Sequence, residues 1–256
     1  MQLIFVGTGS GRTSLKRFHS SILISSESHN LLIDAGDSVA KALLNLGIDF
    51  SNIDTILFSH YHADHFGGIA SLFTQMKIAG RTKPLTFITH KLLIDRLKNF
   101  INSTYMFFEI AGFDVKVIGF EFDQSYKISE SIKYIPRQNQ HVKPKKELTN
   151  TELPFISSSF YFEVESKKII YTSDIGSEED LYLFQNVQAD IFITETTHVE
   201  LEGIYKAYQI LKPGKIYLTH VDDTDEKKIL TWHKSLEDVE RQRFIIAEDG
   251  LILKDF

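Results

Sequence analysis

The sequence contains no cysteine. Disulfide stabilisation is excluded, and so is a thiolate among any metal ligands. No apolar stretch reaches the roughly 18 residues that a membrane-spanning helix needs. A long linker, an internal repeat and a low-complexity tract are equally missing. Met1–Val6 carries no basic leader and runs directly into Gly7-Thr8-Gly9, which predicts no signal peptide. With no cysteine to oxidise, a cytoplasmic site is the expectation. Positive charge is in short supply: 28 Lys and Arg against 34 Asp and Glu give a formal net charge of −6. That balance disfavours attraction to extended nucleic acid, although a local basic patch can still bind a phosphate.

What is present is ordinary for a soluble globular protein, with 43% hydrophobic and 24% charged residues among 256. Such a length suffices for one large core or two intimately packed halves. We expect a single unit over 1–256, with halves of about 1–136 and 137–256.

Apolar runs of strand length alternate with helical patterns along the whole chain. Residues 2–7 read as a strand, 7–14 as a Gly- and Ser-rich loop, and 20–26 with 31–34 as a hairpin. A helix over 37–46, a strand over 53–59, a helix over 65–76, a strand over 85–89 and an amphipathic helix over 91–100 follow. Residues 105–110, 115–120 and 128–135 read as short sheet-edge runs, and 137–154 as a polar loop. Then come a hairpin of 160–165 with 168–172, a helix at 178–183, a strand at 190–194, and a helix at 201–211. A strand at 215–219, a helix at 225–238 and a closing hairpin of 244–246 with 251–253 complete the pattern, which predicts an α/β protein. The Gly7–Gly11 run has neither the Gly-Lys-Ser/Thr ending nor the following helix of a nucleotide-binding loop. It reads either as a tight connection or as a cleft lining.

The most informative stretch is 54–65. A buried strand, Thr55-Ile56-Leu57-Phe58, ends in four candidate ligands within six positions: His60, His62, Asp64 and His65. Residues two apart in an extended segment point to one side, so His60 and His62 can share an ion. Asp64 and His65 fall where the chain turns into a helix, placed to face a second ion. Imidazole nitrogen and carboxylate oxygen suit a divalent first-row metal such as zinc, manganese or iron.

His-x-His-x-Asp-His after a buried strand resembles the signature of the metallo-beta-lactamase superfamily of hydrolases. Phe5-Val6-Gly7-Thr8-Gly9-Ser10-Gly11 and Leu31-Leu32-Ile33-Asp34-Ala35-Gly36 resemble the first strands of its ribonuclease Z and small phosphodiesterase branches. The resemblance implies a four-layer αββα sandwich and two divalent metal ions, zinc first, with manganese or iron as alternatives. It assigns His60, His62 and His141 to one ion and Asp64, His65 and His220 to the other, with Asp174 bridging. Asp174 and His220 each follow a buried strand, where layered α/β proteins gather their sites; His141 stands in polar surroundings without a strong strand before it.

Two such ions would share a bridging hydroxide as the nucleophile. Asp64 is expected also to orient that hydroxide, and Asp34, Ser59 or Thr219 to hydrogen-bond the ligand imidazoles. His198, in Glu195-Thr196-Thr197-His198, is the candidate proton donor; the related ribonuclease Z segment, His-Glu-Ala-Thr, has its catalytic histidine much later. Arg12 and Arg17, in a basic loop with Lys16 and His19, are candidate phosphate contacts. A span of only 32 residues between His141 and Asp174 leaves little room for the tRNA-binding arm of bacterial ribonuclease Z. The expected substrate is therefore small and anionic, a phosphodiester such as a cyclic nucleotide or cyclic phosphate. A lactone or thioester, a ribonuclease Z-like activity and a non-catalytic metal-binding role are the alternatives. The resemblance also allows a homodimer.

Overall fold

Short runs of Ile, Leu, Val and Phe, each closed by a turn or a polar residue, form two seven-stranded sheets in a computed structural model that describes residues 1–147 and 152–254. Residues 148–151 of the expected 137–154 loop lie outside the described residues. The first sheet holds β1 (Gln2–Gly7), β2 (Ser21–Ser25), β3 (Asn30–Ile33), β4 (Thr55–Leu57), β5 (Leu85–His90), β6 (Val115–Phe120) and, from the far end of the chain, β14 (Ile252–Lys254), in the order β14-β1-β2-β3-β4-β5-β6. The second holds β7 (Tyr126–Ser129), β8 (Ile132–Gln138), β9 (Ser158–Val164), β10 (Lys167–Tyr171), β11 (Ile191–Glu195), β12 (Lys215–Thr219) and β13 (Phe244–Ile246), in the reverse order.

Inner strands such as β3 and β11 are buried on both faces and lack the apolar–polar alternation of a half-exposed strand. On β3, Leu31 and Ile33 face the second sheet while Leu32 faces the helices; on β11, Ile191 and Ile193 face the first sheet while Phe192 faces outward. Phe5, Ile24, Phe160 and Phe162, all fully buried, fill the space between the sheets. Each such side chain contributes about 1.5–3 kcal/mol on burial. Helices α1 (Val39–Asn45), α3 (Ile69–Ile78) and α4 (Ile94–Ser103) cover the first sheet through Leu43, Leu72, Phe73 and Leu97. Helices α5 (Leu201–Leu211) and α6 (Glu226–Ser235) cover the second through Leu201, Ile204 and Ile229. These are the four layers expected. Strands β3 to β6 run parallel, as do β10 to β13, so each sheet delivers successive strand ends to one edge. Among the described residues no helix is long and apolar enough to cross a membrane.

Four local readings are corrected. The 65–76 helix is two: α2 (Ala63–Phe66) and α3, split at Gly67-Gly68. The chain passes so close to the first helix's approach that a Cβ at Gly68 would lie 2.1 Å from the Gly36 carbonyl oxygen. The 225–238 helix likewise breaks into α6 and α7 (Asp238–Arg241). Residues 105–110 are not a sheet edge; 108–110 form a 3-10 turn, and Phe108 packs on Phe73 and Phe87 at 5.5 and 5.6 Å. The closing hairpin does not exist. β13 joins β12 in the second sheet, whereas β14 crosses to pair with β1 in the first. Asp249 steers that crossing: its carboxylate accepts from Thr8 N at 2.8 Å, Thr8 Oγ1 at 2.7 Å and Phe18 N at 2.6 Å. The chain exchanges sheets between β6 and β7, earlier than residue 136.

Candidate metal centre

At the edge where the parallel strands end, the 60–65 stretch meets three loops of the second sheet. Beyond β4 the backbone stays extended, with His60 and His62 on one side and Tyr61 on the other. Tyr61 anchors the loop: its ring stacks on Phe66 at 3.9 Å and its hydroxyl donates to Thr89 Oγ1 at 3.0 Å. The short helix α2 then turns Asp64 and His65 inward, where both are buried.

From the second sheet, His141 follows β8, Asp174 follows β10 and His220 follows β12. β8 takes in the second half of the expected 128–135 run and extends it to Gln138, which brings its end close to His141. Asn139 fixes His141 relative to Asp174: its side-chain oxygen accepts from His141 N at 3.1 Å and its amide donates to the Asp174 carbonyl at 2.9 Å. His220 sits at φ 54°, a left-handed conformation that turns its ring back towards the cleft.

All seven sequence candidates converge. His60, His62, His141 and Asp174 form one group and Asp64, His65, Asp174 and His220 another, the ligand atoms within each lying within 4.8 Å of one another. Asp174 belongs to both groups. Its Oδ2 is 3.3 Å from His220 Nε2 and 3.5 Å from His141 Nε2, and its Oδ1 is 3.1 Å from His65 Nε2. Despite that last distance, His65 Nε2 and Asp174 Oδ1 are misaligned for a hydrogen bond. Together with His60 Nε2 they are buried polar atoms without a hydrogen-bond partner among the described residues. Buried polar atoms rarely stay unsatisfied, and these three belong to the two groups. The donor set therefore fits a pair of divalent ions, with nitrogen and carboxylate ligands and no thiolate.

The electrostatics agree with that fit. Burial, reinforced by the neighbouring His65, holds the His60 imidazole well below its usual range. Burial lowers His141 to about 4. Both rings are thus neutral and able to ligate. Burial opposes ionisation of Asp64, but the hydrogen bond from His220 and the charge of His65 outweigh it, taking the carboxyl to about 2. For His65 burial is likewise outweighed, here by Asp174 and Asp34, so its value rises. Two carboxylates facing one imidazole supply more negative charge than a single proton balances; a divalent cation takes that proton's place.

The ligand rings are held from behind. His65 Nδ1 lies 2.8 Å from Asp34 Oδ2, and that carboxylate also accepts from Ser59 N, Ser59 Oγ and, across the sheets, the Tyr171 hydroxyl at 3.2 Å. Ser59 Oγ is 3.0 Å from His60 Nδ1. Asp34 and Ser59 thus occupy the supporting positions expected of them. Thr219 does not: Thr197 Oγ1 stands 2.8 Å from His220 Nδ1, because the 195–198 turn folds over the end of β12.

His198 is exposed at the cavity, its Nδ1 2.8 Å from Glu195 Oε1. That hydrogen bond raises the imidazole's pKa against a smaller effect of burial. Glu195 is buried, and its carboxylate also accepts from Ile175 N, Thr197 N, Thr197 Oγ1 and His198 N. Sequence reasoning missed this hub, although an acid ending the largely apolar run Ile191-Phe192-Ile193-Thr194, three residues before a histidine, was a visible signal. Asn139 and Tyr171 were missed too, and nothing local marks them.

The cavity over the centre measures about 380 Å³ and is lined on one side by Ser10, Gly11 and Arg12, so the glycine-rich loop is a cleft wall. Of the basic loop only Arg12 lines it. Arg17 faces the other way, donating to Thr8 Oγ1 and the Ala247 carbonyl at 2.7 Å each and pairing with Glu226 at 3.3 Å. Its expected phosphate contact is excluded by this burial.

Two facing sheets with these groups at their common edge define a metallo-beta-lactamase-fold protein equipped for a dinuclear metal site. The solved structure of the metallo-beta-lactamase fold protein YhfI from Bacillus subtilis matches it with a TM-score of 0.73 over 99% of both chains, at 19% identity. More narrowly, the chain belongs to the family described as Anti-Pycsar protein Apyc1, whose model matches residues 1–245. It is 39% identical over 94 residues to the Anti-Pycsar protein Apyc1 of Paenibacillus harenae, covering 36% of this chain and 38% of that one. It is 34% identical over 119 residues to Ribonuclease Z of Aeropyrum pernix, covering 46% of this chain and 37% of that one. The matched stretches thus span little more than a third of these curated relatives.

Proposed function

We propose that this protein is a dinuclear metal-dependent hydrolase that cleaves a small phosphodiester. The observation that carries the reading is the shared Asp174: one buried carboxylate lies within reach of both ligand groups, at the floor of a cavity of about 380 Å³. Paired divalent ions lower the pKa of a shared water and neutralise charge developing on a phosphoryl oxygen. His60, His62 and His141 would hold one ion, Asp64, His65 and His220 the other. Asp64, already low in pKa, stays a carboxylate and accepts the hydrogen bond that orients the attacking oxygen. His198 donates the proton that the departing alkoxide needs, and Glu195 keeps its ring aimed and protonated. The cavity is near the small end of ligand-pocket sizes, which favours a mononucleotide-sized diester over an extended nucleic acid.

The test is a substrate panel for the metal-loaded protein: bis-p-nitrophenyl phosphate, a set of lactones and thioesters, and tRNA precursors, with Asp64→Ala as the control for contaminating enzymes. Diester turnover that vanishes in the control is expected; turnover confined to lactones, to tRNA or to nothing would overturn the reading. The proton-donor role of His198 is checked by leaving group. His198→Ala should slow diesters with alkyl alcohol leaving groups far more than those releasing p-nitrophenolate, which needs no proton. Equal slowing of both would remove His198 from that role.

A further inference from the structure

The loop from Gly11 to Arg17 has no part in the chemistry above, yet it is fastened along the rim of the centre. Arg12 Nε is 3.0 Å from Asp222 Oδ2, Ser14 Oγ donates to Asp223 Oδ2 at 2.8 Å, and Lys16 Nζ pairs with Glu226 Oε2 at 2.8 Å. Behind it, the buried Arg17 ties the loop to Thr8 and Ala247. The inner end of the loop lies against a ligand: a Cβ at Gly11 would sit 3.2 Å from Asp64 Oδ2. No side chain separates this backbone from Asp64, and the next residue is Arg12. On the opposite bank Asp222 follows the ligand His220 by two residues. The arginine is therefore held between segments that each carry a ligand of the same group.

A guanidinium has five N–H donors. Here Nε lies 3.0 Å from Asp222 Oδ2 as an ion pair, and the terminal nitrogens have no partner among the described residues. The Arg12 side chain is 65% exposed, and an ion pair so open to solvent adds little to folding stability. Stability does not account for the tether. A guanidinium paired on its Nε side is kept at this rim while its terminal donors stay available, and its planar fork matches two oxygens of a phosphoryl group. Arg12 lines the same cavity as His62, Asp64, His141 and His198.

We infer that Arg12, paired with Asp222, grips the anionic phosphoryl group of the substrate at the rim of the metal centre. This rests on the phosphodiester reading for its substrate, but its test does not. Inorganic phosphate binding is measured by calorimetry on the metal-loaded wild type and on Arg12→Gln, Arg12→Lys and Asp222→Asn, alongside melting temperature, metal content and steady-state kinetics with bis-p-nitrophenyl phosphate. Losing one charge-assisted contact predicts about 10- to 100-fold weaker phosphate binding in Arg12→Gln. The loss should fall on KM more than on kcat, with metal content and melting temperature unchanged. Arg12→Lys should recover part of the affinity, and Asp222→Asn should lose a smaller part. Phosphate binding by Arg12→Gln equal to wild type would overturn the inference, as would a loss matched by a loss of metal. If the wild type fails to cleave any diester while Arg12→Gln still loses phosphate, the grip stands and the phosphodiester reading falls.

Discussion

The two ligand groups around Asp174 are not equivalent. In one, Asp64, His65, Asp174 and His220 are all buried, and both imidazoles are braced, His65 by Asp34 and His220 by Thr197. In the other, only His60 is both buried and braced; His62 is exposed and His141 of intermediate burial, with His62 Nδ1 and His141 Nε2 3.0 Å apart. The deep group is already organised by its hydrogen bonds, whereas the shallow group would be completed only by an ion. Hydrogen bonds behind the ligands fix ring orientation and raise basicity, so the deep group should bind first and release last.

Removing what the groups share is expected to have the largest effect. Asp174→Ala should leave neither ion tightly held, so metal analysis falls from about two ions per chain to less than one and hydrolysis drops to background. Retention of two ions would show that the groups do not depend on a common carboxylate. Next in size is Asp34→Ala, which strips the brace from His65 and, through Ser59, weakens that of His60. Metal affinity or activity should fall by about 10- to 100-fold, and Ser59→Ala, which touches His60 directly but leaves the Asp34 carboxylate on His65, should lose less. The reverse order would invert the assignment of deep and shallow.

A chelator titration separates the groups without mutation. Stoichiometry should pause near one ion per chain before falling further, with activity lost in the first phase; a single smooth loss of both ions would dissolve the distinction. The smallest effect concerns the strand beneath the centre. His29 Nε2 is 2.9 Å from Thr55 Oγ1 at the start of β4, and burial lowers its pKa below the ordinary 6.5. The folded chain therefore binds this proton less readily than the unfolded one, and stability is lost as pH falls from 6.5 towards the folded value. In metal-free protein, His29→Gln should gain on the wild type in urea midpoint between pH 7.5 and pH 5.5 (two buffers chosen to bracket about 6.5). A gap that stays constant would place the acid sensitivity in the ligand cluster instead.

The deep and shallow groups cut across what could be read from sequence. Four ligands lie in one stretch behind an apolar strand, so their chemistry is local and legible. His141, Asp174 and His220 were reached through the family resemblance, with strand ends marking the last two; β8 did not stand out because Arg137, Gln138 and Asn139 carry its end into polar surroundings. The braces were harder. Asp34 and Ser59 neighbour recognisable motifs, but Tyr171 reaches Asp34 across 137 positions, and Thr197 replaces Thr219 only because the 195–198 turn beyond β11 folds over the end of β12. The false closing hairpin has the same origin: Phe244–Ile246 and Leu251–Leu253 look like partners locally, and the carboxylate of Asp249, bonded to Thr8 and Phe18, parts them.

That crossing sets a timetable for synthesis. The first strand of the first sheet receives its outer neighbour only when residues 252–254 have been made, and Arg17 and Thr8 wait for Ala247 and Asp249 before their loop can settle. A ribosome must therefore deliver residues 247–254 before the rim bearing Arg12 closes beside Asp64. Nascent fragments can carry the His60–His65 ligands and still lack the strand and loop contacts that complete the rim beside them.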